Sequence, residues 1–170
     1  PKDGTAGLSY VSAGNRTNAA ETIFIKYAPS WAAASQANAV YLHDSDADII
    51  DTAFVVASDS FQYRPNGTDT AANVALAASD PAINTSYVMA MVSYGATAGT
   101  NAEIYVDGVS KGTTTTNYTA PEIGTNFYIG SKADASLQIS GVVQAVCIFN
   151  RALSQAEIIS VGTIINSGSL

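Results

Sequence analysis

Hydrophobic and polar residues alternate with a period of two along much of this chain. From Glu21 to Tyr27, Ile23, Ile25 and Tyr27 fall on one face while Thr22, Phe24 and Lys26 fall on the other. That pattern predicts a strand, and Pro29 ends it. Leu8 to Val11 predicts a shorter strand before a polar turn through Gly14 to Asn18. Trp31 opens an Ala-rich stretch to Asn38, which reads as one helical turn or an irregular crossover. Two apolar runs, Ala39 to Leu42 and Ile49 to Ala57, flank the polar segment His43-Asp44-Ser45-Asp46-Ala47-Asp48. Ser60 to Arg64 reads as a strand turned by Pro65-Asn66-Gly67, and Asn73 to Ala77 as a short one before the Asp80-Pro81 break. Tyr87 to Tyr94 is long and apolar enough to be a central strand.

The clearest local signal lies further on. Ala102 to Val106, then Asp107-Gly108, then Val109 to Lys111 predicts a β-hairpin, because Asp-Gly supplies the two positive-φ residues of a type I′ turn. Asn126 to Ile129 forms another strand ending at Gly130. Leu137 to Phe149 holds the last long strand or pair, interrupted near Gly141. One segment reads as helix: Ser154 and Glu157 make a capping box, and the helix runs to about Val161 with Gly162 as its stop. Many short strands with turn signals between them, plus one short C-terminal helix, predict an all-β, two-sheet antiparallel sandwich. No internal repeat or long linker divides it, so residues 1–170 are read as a single domain.

Composition narrows the function classes. Only 12% of residues are charged and the net charge is −7, with 14 acidic against 7 basic residues. No basic stripe exists to track phosphates, which argues against nucleic acid. No apolar run reaches the ~18 residues of a membrane span, so no membrane insertion is expected. Cys147 is the single cysteine, which rules out an intrachain disulfide and a cysteine-cluster metal site. In the run Val142 to Phe149 it reads as a small buried hydrophobe. The polar start, Pro1-Lys2-Asp3-Gly4, holds no signal peptide and reads as mature, processed or cut from something longer.

In the C-terminal half, five pieces follow in order: the strand Tyr87 to Tyr94, the hairpin Ile104-Tyr105-Val106-Asp107-Gly108, then Phe127-Tyr128-Ile129-Gly130, a glycine-centred strand, and Ile148-Phe149-Asn150-Arg151-Ala152-Leu153-Ser154-Gln155-Ala156-Glu157-Ile158. In this order and spacing the chain resembles the laminin G-like branch of the concanavalin A-like lectin/glucanase superfamily. The resemblance is strongest over residues 87–162 and runs more loosely from Glu21 to Trp31. It implies a jelly roll of two curved sheets with recognition loops at a rim or concave face. It also implies a role in glycan or protein binding, frequently with calcium, in secreted enzymes, adhesins or phage virion proteins. Where the family often places acids before the helix, this chain has Gln144 and Ala145, so a carboxylate from that strand is missing.

Catalytic groups are sparse. Glycosidases of the superfamily set two or three acids on one strand face, whereas Glu21, Glu103, Glu122 and Glu157 stand alone; Glu103 has Tyr105 rather than an acid at i+2, and Asp107 at i+4 belongs to the Asp-Gly turn. His43 is the only histidine, expected at the surface or rim, with no serine elbow to serve. The chain is therefore read as no enzyme. Asp44, Asp46, Asp48 and Asp51 are spaced like oxygen donors for a hard cation, with Asp59 able to approach. They form either a candidate calcium site, calcium being the only candidate cofactor, or a solvated acidic turn that protects an edge. Asp107, Gly108, Asn150, Arg151, Leu153, Ser154 and Glu157 read as structural, with Arg151 pairing with Asp107 or Glu157.

Two functions compete. A glycan-binding or adhesion module needs aromatic rings for stacking and amides for sugar hydroxyls; Trp31, Tyr41, Tyr63, Tyr94 and Tyr118 with Asn66, Asn101 and Asn117 are the candidates. A structural or decoration domain of a phage capsid or tail would instead contact a neighbouring subunit, a second copy of itself or another protein, through edges and termini. Either role places the chain outside cells, at a surface or in a virion, as part of a larger assembly.

Overall fold

The computed structural model describes residues 8–12, 14, 16, 20–31, 40–45, 51–55, 60–64, 74–76, 85–95, 102–114, 124–134 and 136–169. In chain order the elements are β1 (Leu8–Val11), β2 (Glu21–Pro29), β3 (Val40–Ser45), β4 (Asp51–Val55), β5 (Ser60–Arg64), β6 (Val74–Leu76), β7 (Tyr87–Ser93), β8 (Ala102–Val106), β9 (Val109–Thr114), β10 (Asn126–Ile129), β11 (Gly141–Phe149) and α1 (Gln155–Ser167). They form a six-stranded sheet, β1-β10-β3-β4-β5-β6, and a five-stranded sheet, β11-β2-β7-β8-β9, both antiparallel throughout.

The alternation in β2 is what joins the layers. Ile23, Ile25 and Tyr27 point between the sheets, where they meet Met89 and Met91 of β7, Ile104 of β8, Leu42 of β3, Phe61 and Tyr63 of β5, and Phe127 of β10. Burying each such side chain contributes about 1.5–3 kcal/mol. Phe24 points the other way, into a second cluster with Val88, Ala90, Val92, Tyr105, Leu153, Ile158 and Ile165. Helix α1 covers that outer face, so β2 and β7 are buried on both sides. Phe24 meets Phe149 there edge to face, with ring centroids 5.8 Å apart.

The helix is longer than its sequence signal. Ser154 and Glu157 form the reciprocal capping box at its start, but the helix continues past Gly162 to Ser167 and ends at Gly168, which takes the left-handed conformation at φ 70°. Gly162 is buried against Val88 instead of stopping the helix. Lys26 of β2 supplies the cation that the last turn lacks, donating from Nζ to the carbonyls of Ile165 and Asn166 at 3.3 Å.

A second difference concerns the acidic segment. His43 and Asp44 belong to β3 and are fully buried, so neither the expected surface histidine nor a solvated turn begins there. In register with Ile129 and Thr52, His43 faces the core. Its ring stacks 5.1 Å from Phe127, and Nε2 lies 2.8 Å from Thr52 Oγ1.

Candidate functional site

The site grows from the β8–β9 hairpin. Asp107 at φ 49° and Gly108 at φ 78° make the two-residue turn, and Asp107 pins it to β7 by accepting from Val88 N–H and donating its own N–H to Val88 O. The two-residue turn sets Ser110 opposite Tyr105, and beyond that pair the register shifts by one residue between Tyr105 and Ile104, which leaves Lys111 as an extra residue. Glu103 and Tyr105, two apart on β8, share the outer face of the five-stranded sheet. Tyr94, just past β7, shares that face with Val92, which pairs with Glu103.

These parities bring four polar side chains together. Tyr94 donates its hydroxyl to Glu103 Oε2 at 2.9 Å, Ser110 donates to Glu103 Oε1, and the Tyr105 hydroxyl bonds Tyr94. Burial first, then the hydrogen bonds and the Glu103 carboxylate, push the Tyr94 phenol far above its ordinary range; burial likewise raises Tyr105. Both phenols therefore stay protonated donors at physiological pH. Glu103 and Tyr94 are half-exposed and Ser110 is exposed. The result is a carboxylate, two hydroxyls and an aromatic ring on one accessible patch.

The other residues singled out in the sequence lie elsewhere. Trp31 and Tyr63 are interior rings: Trp31 Nε1 donates to Tyr27 OH at 3.0 Å, and Tyr63 packs with His43. Tyr41 is buried beneath Lys132, whose ammonium sits 5.5 Å from the ring centroid, and accepts from Arg64 at 3.4 Å. Asp44 accepts from Ser45 N–H and Ala133 N–H, both at 2.9 Å, and so ties β3 to the 130–140 segment. Asp51 opens β4 in register with Arg64. Asp46, Asp48, Asp59, Asn66, Asn101, Asn117 and Tyr118 lie outside the described residues. Among the described residues, no three His, Cys, Asp or Glu side chains converge on a metal position.

Arg151 pairs with Glu157 at 2.7 Å rather than with Asp107, Leu153 is buried beneath the helix start, and Asn150 is exposed in the bend between. Ser110 escaped the sequence reading, which weighed Glu103 only for a second acid beside it. The usable signal was the Asp107-Gly108 turn, which fixes what faces Tyr105.

One further cavity, about 550 Å³, opens at the sandwich edge between β1 and β11. Behind its apolar lining lies a buried ion pair: Arg16 donates to Glu21 through Nε at 3.0 Å and Nη2 at 2.6 Å, and its guanidinium lies 4.9 Å from the Phe127 ring centroid. That charge, after burial itself, holds the His43 imidazole well below its ordinary pKa and hence neutral. No described helix is long and apolar enough to cross a membrane.

Among solved structures, the chain is similar to botulinum neurotoxin type C, whose passage into cells depends on interaction with two ganglioside molecules (13% identity, TM-score 0.63, covering 89% of this chain and 37% of that one). It is also similar to a candidate carbohydrate-binding protein of Bacteroides ovatus (14%, TM-score 0.67, 90% and 43%). A third likeness is to a Trypanosoma rangeli sialidase (15%, TM-score 0.65, 98% and 26%). The chain thus spans less than half the length of each of these structures. At such identities the likeness is one of fold. No curated protein matches the chain in sequence. The family model described as the concanavalin A-like lectin/glucanases superfamily matches residues 6–159. With that match across most of the chain, and a two-sheet jelly roll beneath it, the protein belongs to the concanavalin A-like lectin/glucanases superfamily.

Proposed function

We propose that this chain is a non-catalytic carbohydrate-binding module, displayed at a cell surface or on a virion within a larger assembly. The observation that carries the reading is the Tyr94–Glu103–Ser110 patch. A carboxylate accepts from sugar hydroxyls, serine and tyrosine hydroxyls donate and accept in turn, and the tyrosine ring offers an apolar face to a sugar C–H surface.

The described acids give no support to hydrolysis. Glycoside cleavage needs two carboxyl groups flanking one bond. Glu21 is held by Arg16, Glu157 by Arg151 and the helix cap, and Glu103 has tyrosine and serine for partners. The similarity to carbohydrate-binding and ganglioside-dependent proteins adds support of a coarser kind.

A glycan array probed with the purified chain tests this, run once with calcium and once with a chelator. Binding to defined glycans is expected, and Glu103→Gln or Tyr94→Phe is expected to weaken it by about tenfold or more, in line with ~1.5–3 kcal/mol for a hydrogen bond to a charged group. Binding is expected to survive chelation, since the patch holds a single carboxylate and Asp44 has both oxygens committed to backbone N–H groups. A folded protein that binds no glycan in either condition would refute the reading.

A further inference from the structure

We infer that the Tyr94–Glu103–Ser110 patch takes an uncharged sugar that donates two neighbouring hydroxyls to Glu103, and that it turns acidic sugars away. This rests on the reading of the patch as a carbohydrate site and adds the class of sugar that fits it.

The direction of each hydrogen bond carries the inference. An ionised carboxylate only accepts, so Tyr94 and Ser110 commit their single hydroxyl protons to Glu103 Oε2 and Oε1. Tyr105 bonds Tyr94, whose own proton is already committed, so Tyr105 is the donor of that pair. Every hydroxyl proton of the cluster thus points inward. What remains for a ligand is acceptor capacity. A carboxylate has about four lone-pair sites, and the two hydroxyls fill one on each oxygen of Glu103. The exposed Ser110 oxygen adds lone pairs of its own.

An acceptor-only surface selects partners that donate. Adjacent hydroxyls on a sugar ring offer two donors side by side, which matches one free site on each carboxylate oxygen. The half-exposed Tyr94 ring offers its face to the sugar C–H surface. A carboxylate or sulfate brought to the same spot adds acceptors and a like charge, finds no donor, and is repelled.

The placement of cations agrees. The chain has seven basic residues, and five of them are engaged elsewhere: Arg16 with Glu21, Arg151 with Glu157, Lys26 at the end of α1, and Arg64 and Lys132 at Tyr41. Lys2 lies outside the described residues. Lys111 follows Ser110 in the chain, but it is exposed and forms no ion pair with Glu103. The net charge of −7 opposes an anionic ligand at longer range as well.

A glycan array of matched pairs tests this: neutral glycans beside the same glycans carrying sialic acid or sulfate, with circular dichroism to verify folding. The wild-type chain is expected to bind the neutral member of a pair about tenfold or more tightly, and added salt is expected to narrow that preference by screening the charges. Glu103→Gln exchanges a charged acceptor for an amide that also donates. It is expected to weaken neutral binding and to shrink the preference to about threefold or less. Lys111→Gln is expected to leave the neutral affinity within about twofold. Acidic members bound as tightly as their neutral partners, or a preference that Glu103→Gln leaves untouched, overturns the inference while the carbohydrate reading stands. A chain that binds no glycan refutes that reading and this inference with it. Should Glu103→Gln fail to fold, a wild-type preference indifferent to salt overturns the inference.

Discussion

Arg16 and Glu21 impose the strictest demand on individual residues. Both side chains are essentially withdrawn from water and held by two hydrogen bonds. Removing one partner leaves the other charge buried alone, at a cost of about 3–5 kcal/mol, whereas replacing both by apolar residues costs far less. Urea titrations of Arg16→Met, Glu21→Gln and Arg16→Met/Glu21→Leu are expected to show the double variant more stable than either single one. Gly141 is constrained differently. At φ +144°, a Cβ there would lie 2.3 Å from the Ala28 carbonyl oxygen and 2.9 Å from Pro29 Cα. Neither backbone can yield, so Gly141→Ala is expected to destabilise the chain by about 2 kcal/mol or more, read from the urea midpoint. The sequence marks Gly141 only as an interruption, since its strain comes from a strand more than a hundred residues earlier.

At the scale of elements, short-range signals read well and faces read unevenly. The period of two in Glu21 to Tyr27 assigned both faces of β2 because each face meets a different apolar layer. The same reasoning applied to Phe61 and Tyr63 would have placed Tyr63 inside beside Phe61; aromatic content alone cannot separate a core ring from a displayed one. Tyr94 was visible as a tyrosine, but its partners Glu103 and Tyr105 depend on the β7–β8 register, a matter of strand pairing rather than local sequence. The helix start was legible in four residues, while its end turned on which of two glycines packs against Val88. That start also titrates. The Arg151 guanidinium, then the Ser154 N–H and hydroxyl, push the Glu157 carboxyl down to about 2. Its folded pKa is below the unfolded value of about 4.3. The contribution is therefore complete above that value and is lost as pH falls through about 2. Thermal melts between those limits are expected to fall less steeply for Glu157→Gln than for the wild type, the effect being modest because both partners are solvent-exposed.

The described elements lie in three layers: a six-stranded sheet, a five-stranded sheet, and a helix on the latter's outer face. That order decides what each surface is free to do. Among the described residues, the Tyr94–Glu103–Ser110 patch lies toward the β8–β9 end of the five-stranded sheet, and the cavity beside β1 and β11 lies at its other end. The order also has a consequence in time. β2 is completed on one side by β11, and Thr22 hydrogen-bonds the Arg151 carbonyl and the Leu153 N–H, 129 and 131 residues later in the chain. A ribosome adding ~5–20 residues per second needs on the order of 6–25 s to cover that distance. Throughout that interval Phe24, already synthesised, has neither Phe149 nor α1 to cover it. The nascent chain must therefore wait with the apolar inner strand of its sheet half-clothed until β11 and α1 have been made.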